Sequence, residues 1–169
     1  MRIRLLLFLF CLPLISVAYV HQYTLKNGLE VIVKPDTRAP VVLSTVWYRV
    51  GGSYEHDGIT GLSHVLEHML FQGTPTVPAG DFAKIINENG GQLNAMTSRD
   101  FTQYYEMLSA DKLALSMRME ADRMQHLIIN QTRFVRELKV VTEERRMRTD
   151  DNPIGTAYER FMALAFVNS

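Results

Sequence analysis

Cysteine is almost absent. The 169-residue chain has one, Cys11, and it lies in an apolar stretch at the start. Disulfides therefore cannot staple the fold, and beyond that stretch no thiolate can hold a metal or act as a nucleophile. An excess of positive charge is also missing. Eighteen Lys and Arg balance 18 Asp and Glu, so the chain lacks the basic footprint of a nucleic-acid binder. Internal repeats, low-complexity tracts and linkers are lacking too. So is an apolar run of the about 20 residues that a transmembrane helix needs.

What is present fits a globular protein. Apolar residues make up 47% of the chain and charged residues 21%, enough to bury a core. Residues 1–18 read as a secretory leader: Arg2 and Arg4, an apolar run over 5–15 broken only by Pro13, then small residues Ser16, Val17 and Ala18. A retained anchor is the alternative, because Tyr19 and Val20 extend the run. Export to a bacterial periplasm is the expectation, with no stable membrane span once the leader is removed. Loss of Arg2 and Arg4 leaves a net charge of −2 over residues 19–169. Any metal site in that portion must use His, Asp or Glu.

Two short strands around Asn27-Gly28 predict a hairpin over 23–34. A β-branched and aromatic run predicts a strand over 41–50. Helical spacing of Leu62, Val65, Leu66, Met69 and Leu70 predicts a helix over 61–71, ended by Gly73, Pro75 and Pro78. A second helix is expected over 81–88, and two strands over 92–108 around Ser98-Arg99-Asp100. Ser109 is placed to cap a long helix over 110–126. Further helices are expected over 132–148 and from Pro153 to the end. Strands arriving as hairpins, separate from runs of helices, predict an α+β fold with an antiparallel sheet packed on helices.

The chemistry-bearing motif is His64-Val65-Leu66-Glu67-His68. On a helix turning about 100° per residue, all three polar side chains leave within about 100° of one face. Two imidazoles one turn apart can grip one zinc ion, and the carboxylate beside them can serve as a base. The bland reading is a solvated helix face with an i,i+4 pair. Catalytic zinc commonly takes three protein ligands, so a carboxylate from elsewhere is needed. Glu143 and Glu144 on the later helix are the candidates, about 100° apart around it. His21, His56 and His126 have no partner spacing. Met117, Met119 and Met124 read as core filling. Tyr104 and Tyr105 read first as strand residues, one of which could face a cleft.

The segment Gly61-Leu62-Ser63-His64-Val65-Leu66-Glu67-His68-Met69-Leu70-Phe71-Gln72-Gly73-Thr74 resembles the pitrilysin family of inverted zinc peptidases. Gly90-Gly91-Gln92-Leu93-Asn94-Ala95-Met96-Thr97, followed by Thr102-x-Tyr104-Tyr105, resembles that family's substrate-binding edge strand. The hairpin at Leu25-x-Asn27-Gly28-Leu29 resembles its opening. The resemblance implies one zinc per chain held by His64, His68 and Glu144, the last lying 76 residues beyond His68 as in the family. It implies Glu67 as general base and Glu137, seven residues before Glu144, as a neighbour that orients a ligand. It implies that Asn94, Ala95, Met96 and Thr97 pair with an extended peptide or unfolded substrate.

Members of that family are built from two homologous halves, and residues 19–169 resemble only the first part of one. Three expectations follow: the amino-terminal portion of an active zinc endopeptidase, a subunit that needs a homologous partner chain or a second copy, or a truncated product with little independent function.

Overall fold

The computed structural model describes residues 19–166. The expected leader therefore lies outside the described residues. The chain divides after Ala39 into two compact units.

The first unit is an antiparallel hairpin, β1 (His21–Thr24) with β2 (Glu30–Val33). Its turn is a three-residue loop closed by the Leu25 N–H to the Leu29 carbonyl and the Gly28 N–H to the Leu25 carbonyl. Gly28 takes φ +87°, the left-handed conformation that glycine adopts without steric cost.

The second unit is α+β. An antiparallel three-stranded sheet has the order β3 (Val41–Tyr48), β5 (Thr102–Ser109), β4 (Gln92–Thr97). Five helices accompany it: α1 (Leu62–Met69), α2 (Asp81–Glu88), α3 (Leu113–His126), α4 (Gln131–Arg145) and α5 (Pro153–Ala165). The period-2 alternation of β5 sends Thr102, Tyr104, Glu106 and Leu108 inward. Register places Val46 and Ala95 beside Tyr104, and Val42 beside Leu108.

Phe82, Ile86, Leu108 and Met119 form the packed core between sheet and helices. Complete burial of Ile86 stabilises the fold by about 1.5–3 kcal/mol. Gly91 makes that packing possible, because a Cβ there would stand 2.2 Å from Leu108 Cδ2 and 2.9 Å from Ile86 Cγ2.

The core is not wholly apolar. Glu106, Ser116, Glu120 and Arg123 are buried together. Arg123 bonds both Glu120 oxygens and lies 3.5 Å from Glu106 Oε1. Its guanidinium sits over the rings of Tyr104 (4.3 Å) and Phe82 (4.4 Å). Burial, reinforced by the neighbouring Glu120 carboxylate, pushes the Glu106 carboxyl up to about 9. Glu106 thus keeps its proton at neutral pH, while Glu120 and Arg123 form the ion pair.

Several sequence expectations need correction. Ser109 does not cap a long helix: its hydroxyl turns to the Asp111 carboxylate, residues 110–112 form a 3-10 turn, and α3 starts at Leu113. The helix expected over 132–148 is regular only to Arg145 and then widens into a π-helical turn, Arg146–Asp150. Gly155 packs closely against this turn: a Cβ there would lie 2.4 Å from the Arg148 carbonyl. Of the three methionines expected in the core, only Met119 is there; Met117 and Met124 are exposed.

Candidate metal site

α1 is a short helix between two glycines in the left-handed conformation, Gly61 at φ +89° and Gly73 at φ +90°. Val65 and Met69 are buried on one face. His64, Glu67 and His68 occupy the half-exposed face, as the helical period requires.

α4 packs against α1 and brings Glu144 to the histidines. Glu144 Oε2 lies 3.7 Å from His64 Nε2 and 3.4 Å from His68 Nε2. The two rings stand nearly perpendicular, 83° apart, with centroids 4.9 Å from each other. Ligand atoms about 2.0–2.1 Å from a tetrahedral zinc lie about 3.3–3.4 Å apart. Two imidazole nitrogens and one carboxylate oxygen therefore fit a catalytic zinc site in donor type and spacing. Glu143 faces away, 66% exposed and 3.8 Å from Arg146.

Two neighbours hold these candidate ligands in place. Arg148 Nη1 holds Glu144 Oε1 at 2.6 Å, leaving Oε2 to face both imidazoles. Glu137 is buried on the same side of α4, with Oε2 3.6 Å from His68 Nδ1. A carboxylate behind a ligating histidine sets its tautomer and orientation. Arg136 in turn bonds Glu137 and the Gln72 side chain.

Glu67 is held from the sheet. Thr97 Oγ1 donates to Glu67 Oε2 at 2.5 Å, lies 3.3 Å from Thr102 Oγ1, and Thr102 donates to the Val50 carbonyl. Glu55 holds the start of α1: Oε2 accepts from the Gly61 N–H at 2.6 Å and Oε1 from the Ser63 N–H at 2.7 Å. Burial pushes the Glu55 carboxyl up, but hydrogen bonds from the Ser63 and Gly61 N–H groups and the Ser63 hydroxyl, together with nearby His64, hold it below its ordinary value.

A cleft of about 250 Å³ opens beside this group, lined by Glu67, His68, Phe71, Gln72, Asn94, Ala95 and Glu137. Of the four expected substrate-strand residues, Asn94 and Ala95 line it. Met96 is exposed and does not line it, and the Thr97 hydroxyl is committed to Glu67. Tyr104 is buried beneath the sheet face rather than in the cleft. A larger cavity, about 290 Å³, lies elsewhere between Tyr48, Leu66, Tyr104, Arg123 and Leu127. It is lined by neither His68 nor Glu67, so the candidate site opens onto the smaller cleft. Glu55 and Arg148 were not singled out as site residues from sequence, and Thr97 was expected to pair with substrate rather than to hold Glu67; only proximity in the folded chain reveals these roles.

A family model described as insulinase (peptidase family M16) matches residues 30–166. The chain belongs to peptidase family M16. Among M16 relatives, the zinc protease PqqE of Helicobacter pylori is 42% identical over 148 residues, covering 87% of this chain and 33% of the relative. A crystal structure of a protease from Helicobacter pylori superposes with a TM-score of 0.84 at 40% identity, covering 86% of this chain and 35% of that one. The periplasmic protease PqqL of Escherichia coli shares the fold, with a TM-score of 0.74 at 24% identity, covering 83% of this chain and 16% of that one. The chain thus spans about a third of the length of the curated M16 relatives it matches. Among the described residues, no helix is long and apolar enough to cross a membrane.

Proposed function

We propose that this chain supplies the zinc-holding portion of an M16 metalloendopeptidase that cleaves peptides or unfolded segments outside the cytoplasm. The observation that carries the reading is the meeting of His64, His68 and Glu144, with ligand atoms all within 4.8 Å of one another, beside Glu67 in an open cleft. His64, His68 and Glu144 would hold the ion. When bound, zinc polarises a scissile carbonyl and lowers the pKa of water toward about 7.

The chain's own residues do the rest. Glu67 takes a proton from the attacking water and returns it to the leaving amine. Thr97 keeps one Glu67 oxygen occupied, so the other is left to face the reaction. Glu137 orients His68 from behind. Asn94 and Ala95 place an extended substrate along the cleft, where β4 pairs only with β5 among the described residues and so offers its other edge. The leader-like residues 1–18 support a periplasmic location.

A second reading is favoured by coverage. Because the chain spans only about a third of its relatives, cleavage could require a homologous partner chain or a second copy to close over the cleft. Purified protein is expected to bind one zinc per chain, and His64→Ala or Glu144→Gln to abolish binding. Glu67→Gln should keep the zinc and stop cleavage of an unfolded reporter peptide. Failure of the wild type to take up zinc at neutral pH would end both readings. Zinc uptake without cleavage by the isolated chain, restored by a homologous second chain, selects the second.

A further inference from the structure

We propose that Glu55 is a positioning residue for the metal site, acting through the first turn of α1; the inference rests on the zinc reading above. α1 has eight residues, a length at which an isolated helix is marginal in water. Its first N–H groups lack intrahelical partners, and the capping position is Gly61, which has no side chain to supply one. One carboxylate does that work from outside the helix. Glu55 reaches six residues forward to the Gly61 N–H and eight to the Ser63 N–H, one oxygen to each. The Ser63 N–H belongs to the Leu62–Ser63 peptide, one residue before His64, so this bond orients the turn from which the His64 side chain leaves. The negative charge also suits the positive end of a helix.

Glu55 is itself anchored. Its N–H donates to the Gly52 carbonyl, and the Gly52 and Ser53 N–H groups donate to the Ser98 and Arg99 carbonyls in the turn joining β4 to β5. Gly51 lies so close to that turn that a Cβ would stand 2.3 Å from the Ser98 oxygen. The metal-bearing helix is therefore tied twice to one hairpin, at its start through Glu55 and at Glu67 through Thr97. The His64 end depends on the first tie. His68, one turn on, is braced separately by Glu137.

The test is zinc affinity of the full chain, read by competition with a chromophoric chelator at pH 7.5. Glu55→Ala should weaken zinc binding about tenfold, the equivalent of one lost cap. Glu55→Gln keeps one acceptor oxygen and should fall between wild type and Glu55→Ala. The control is Asn152→Ala, which removes two comparable cap bonds, to the Ile154 and Gly155 N–H groups, from α5, a helix without a ligand. It should lower Tm yet leave zinc affinity within twofold. In imidazole 15N spectra of the zinc-loaded protein, Glu55→Ala should shift the His64 signals more than those of His68.

Zinc affinity of Glu55→Ala within twofold of wild type overturns the inference, as does an equal loss in Asn152→Ala. If Glu55→Ala does not fold, Glu55→Gln decides: an unchanged affinity overturns the inference. Absence of zinc uptake by wild type overturns the zinc reading and this inference together, whereas normal uptake by wild type and variant alike overturns the inference alone.

Discussion

Replacing Glu106 by Gln should change how stability depends on pH more than it changes stability in mild acid. In the folded chain the Glu106 carboxyl is pushed up to about 9, first by burial and then by Glu120. In the unfolded chain it titrates at its ordinary value, 4.5. Below 4.5 both states carry the proton, and the group contributes nothing to pH dependence. Between 4.5 and 9 the unfolded chain releases a proton that the folded chain keeps, so stability falls as pH rises. One proton corresponds to a slope of about −1.4 kcal/mol per pH unit. The loss levels off above the folded value. Gln has no proton to release, yet it retains an acceptor for the Ser116 hydroxyl and a donor for Glu120. Urea unfolding followed by far-UV circular dichroism, in chelator, from pH 5.5 to 8.5 measures the effect. The variant should gain on wild type by about 1.4 kcal/mol for each unit of pH. Parallel curves for the two proteins would show that Glu106 is already ionised in the fold, and the buried-proton account would fall.

Thr97→Val removes a hydrogen bond to a charged group, worth about 1.5–3 kcal/mol. Cleavage should slow by about 10- to 100-fold with zinc binding intact, Thr97→Ser should retain most of the rate, and an undiminished rate for Thr97→Val would remove Thr97 from the site. Gly91→Ala forces a methyl group into Leu108 and Ile86 and should cost about 1–3 kcal/mol. Tm should then drop by about 2–4 °C for each kcal/mol; an unchanged Tm would mean that the core can yield there.

The readable part of this protein was whatever depends on local period. Spacing of Leu62, Val65 and Met69 announced α1, and the same period put His64, Glu67 and His68 on one face. Two runs around Ser98-Arg99-Asp100 announced β4 and β5, and the order of strand hairpins and helices announced α+β. What local period could not supply was partnership across the fold. Glu106 sits in phase with Tyr104 and Leu108 on the inward face of β5, a signal that a carboxyl group is buried there. Its partners Glu120 and Arg123 lie on α3, and only packing brings the three together. Ser109 failed as a cap because Asp111, two residues on, competes for its hydroxyl. Glu144 and Glu143 were not separable by composition; Glu144 faces α1 because α4 packs that way round.

The three-stranded sheet has β3 and β4 at its margins, each paired on one side only among the described residues. Leu43, Trp47, Met96 and Met107 also stand exposed on the face away from the helices. Two molecules meeting in solution can satisfy both features at once, by joining strands and covering side chains. The rate of loss during handling of the isolated polypeptide should therefore rise with the square of its concentration, and dilution is the condition that keeps it in solution.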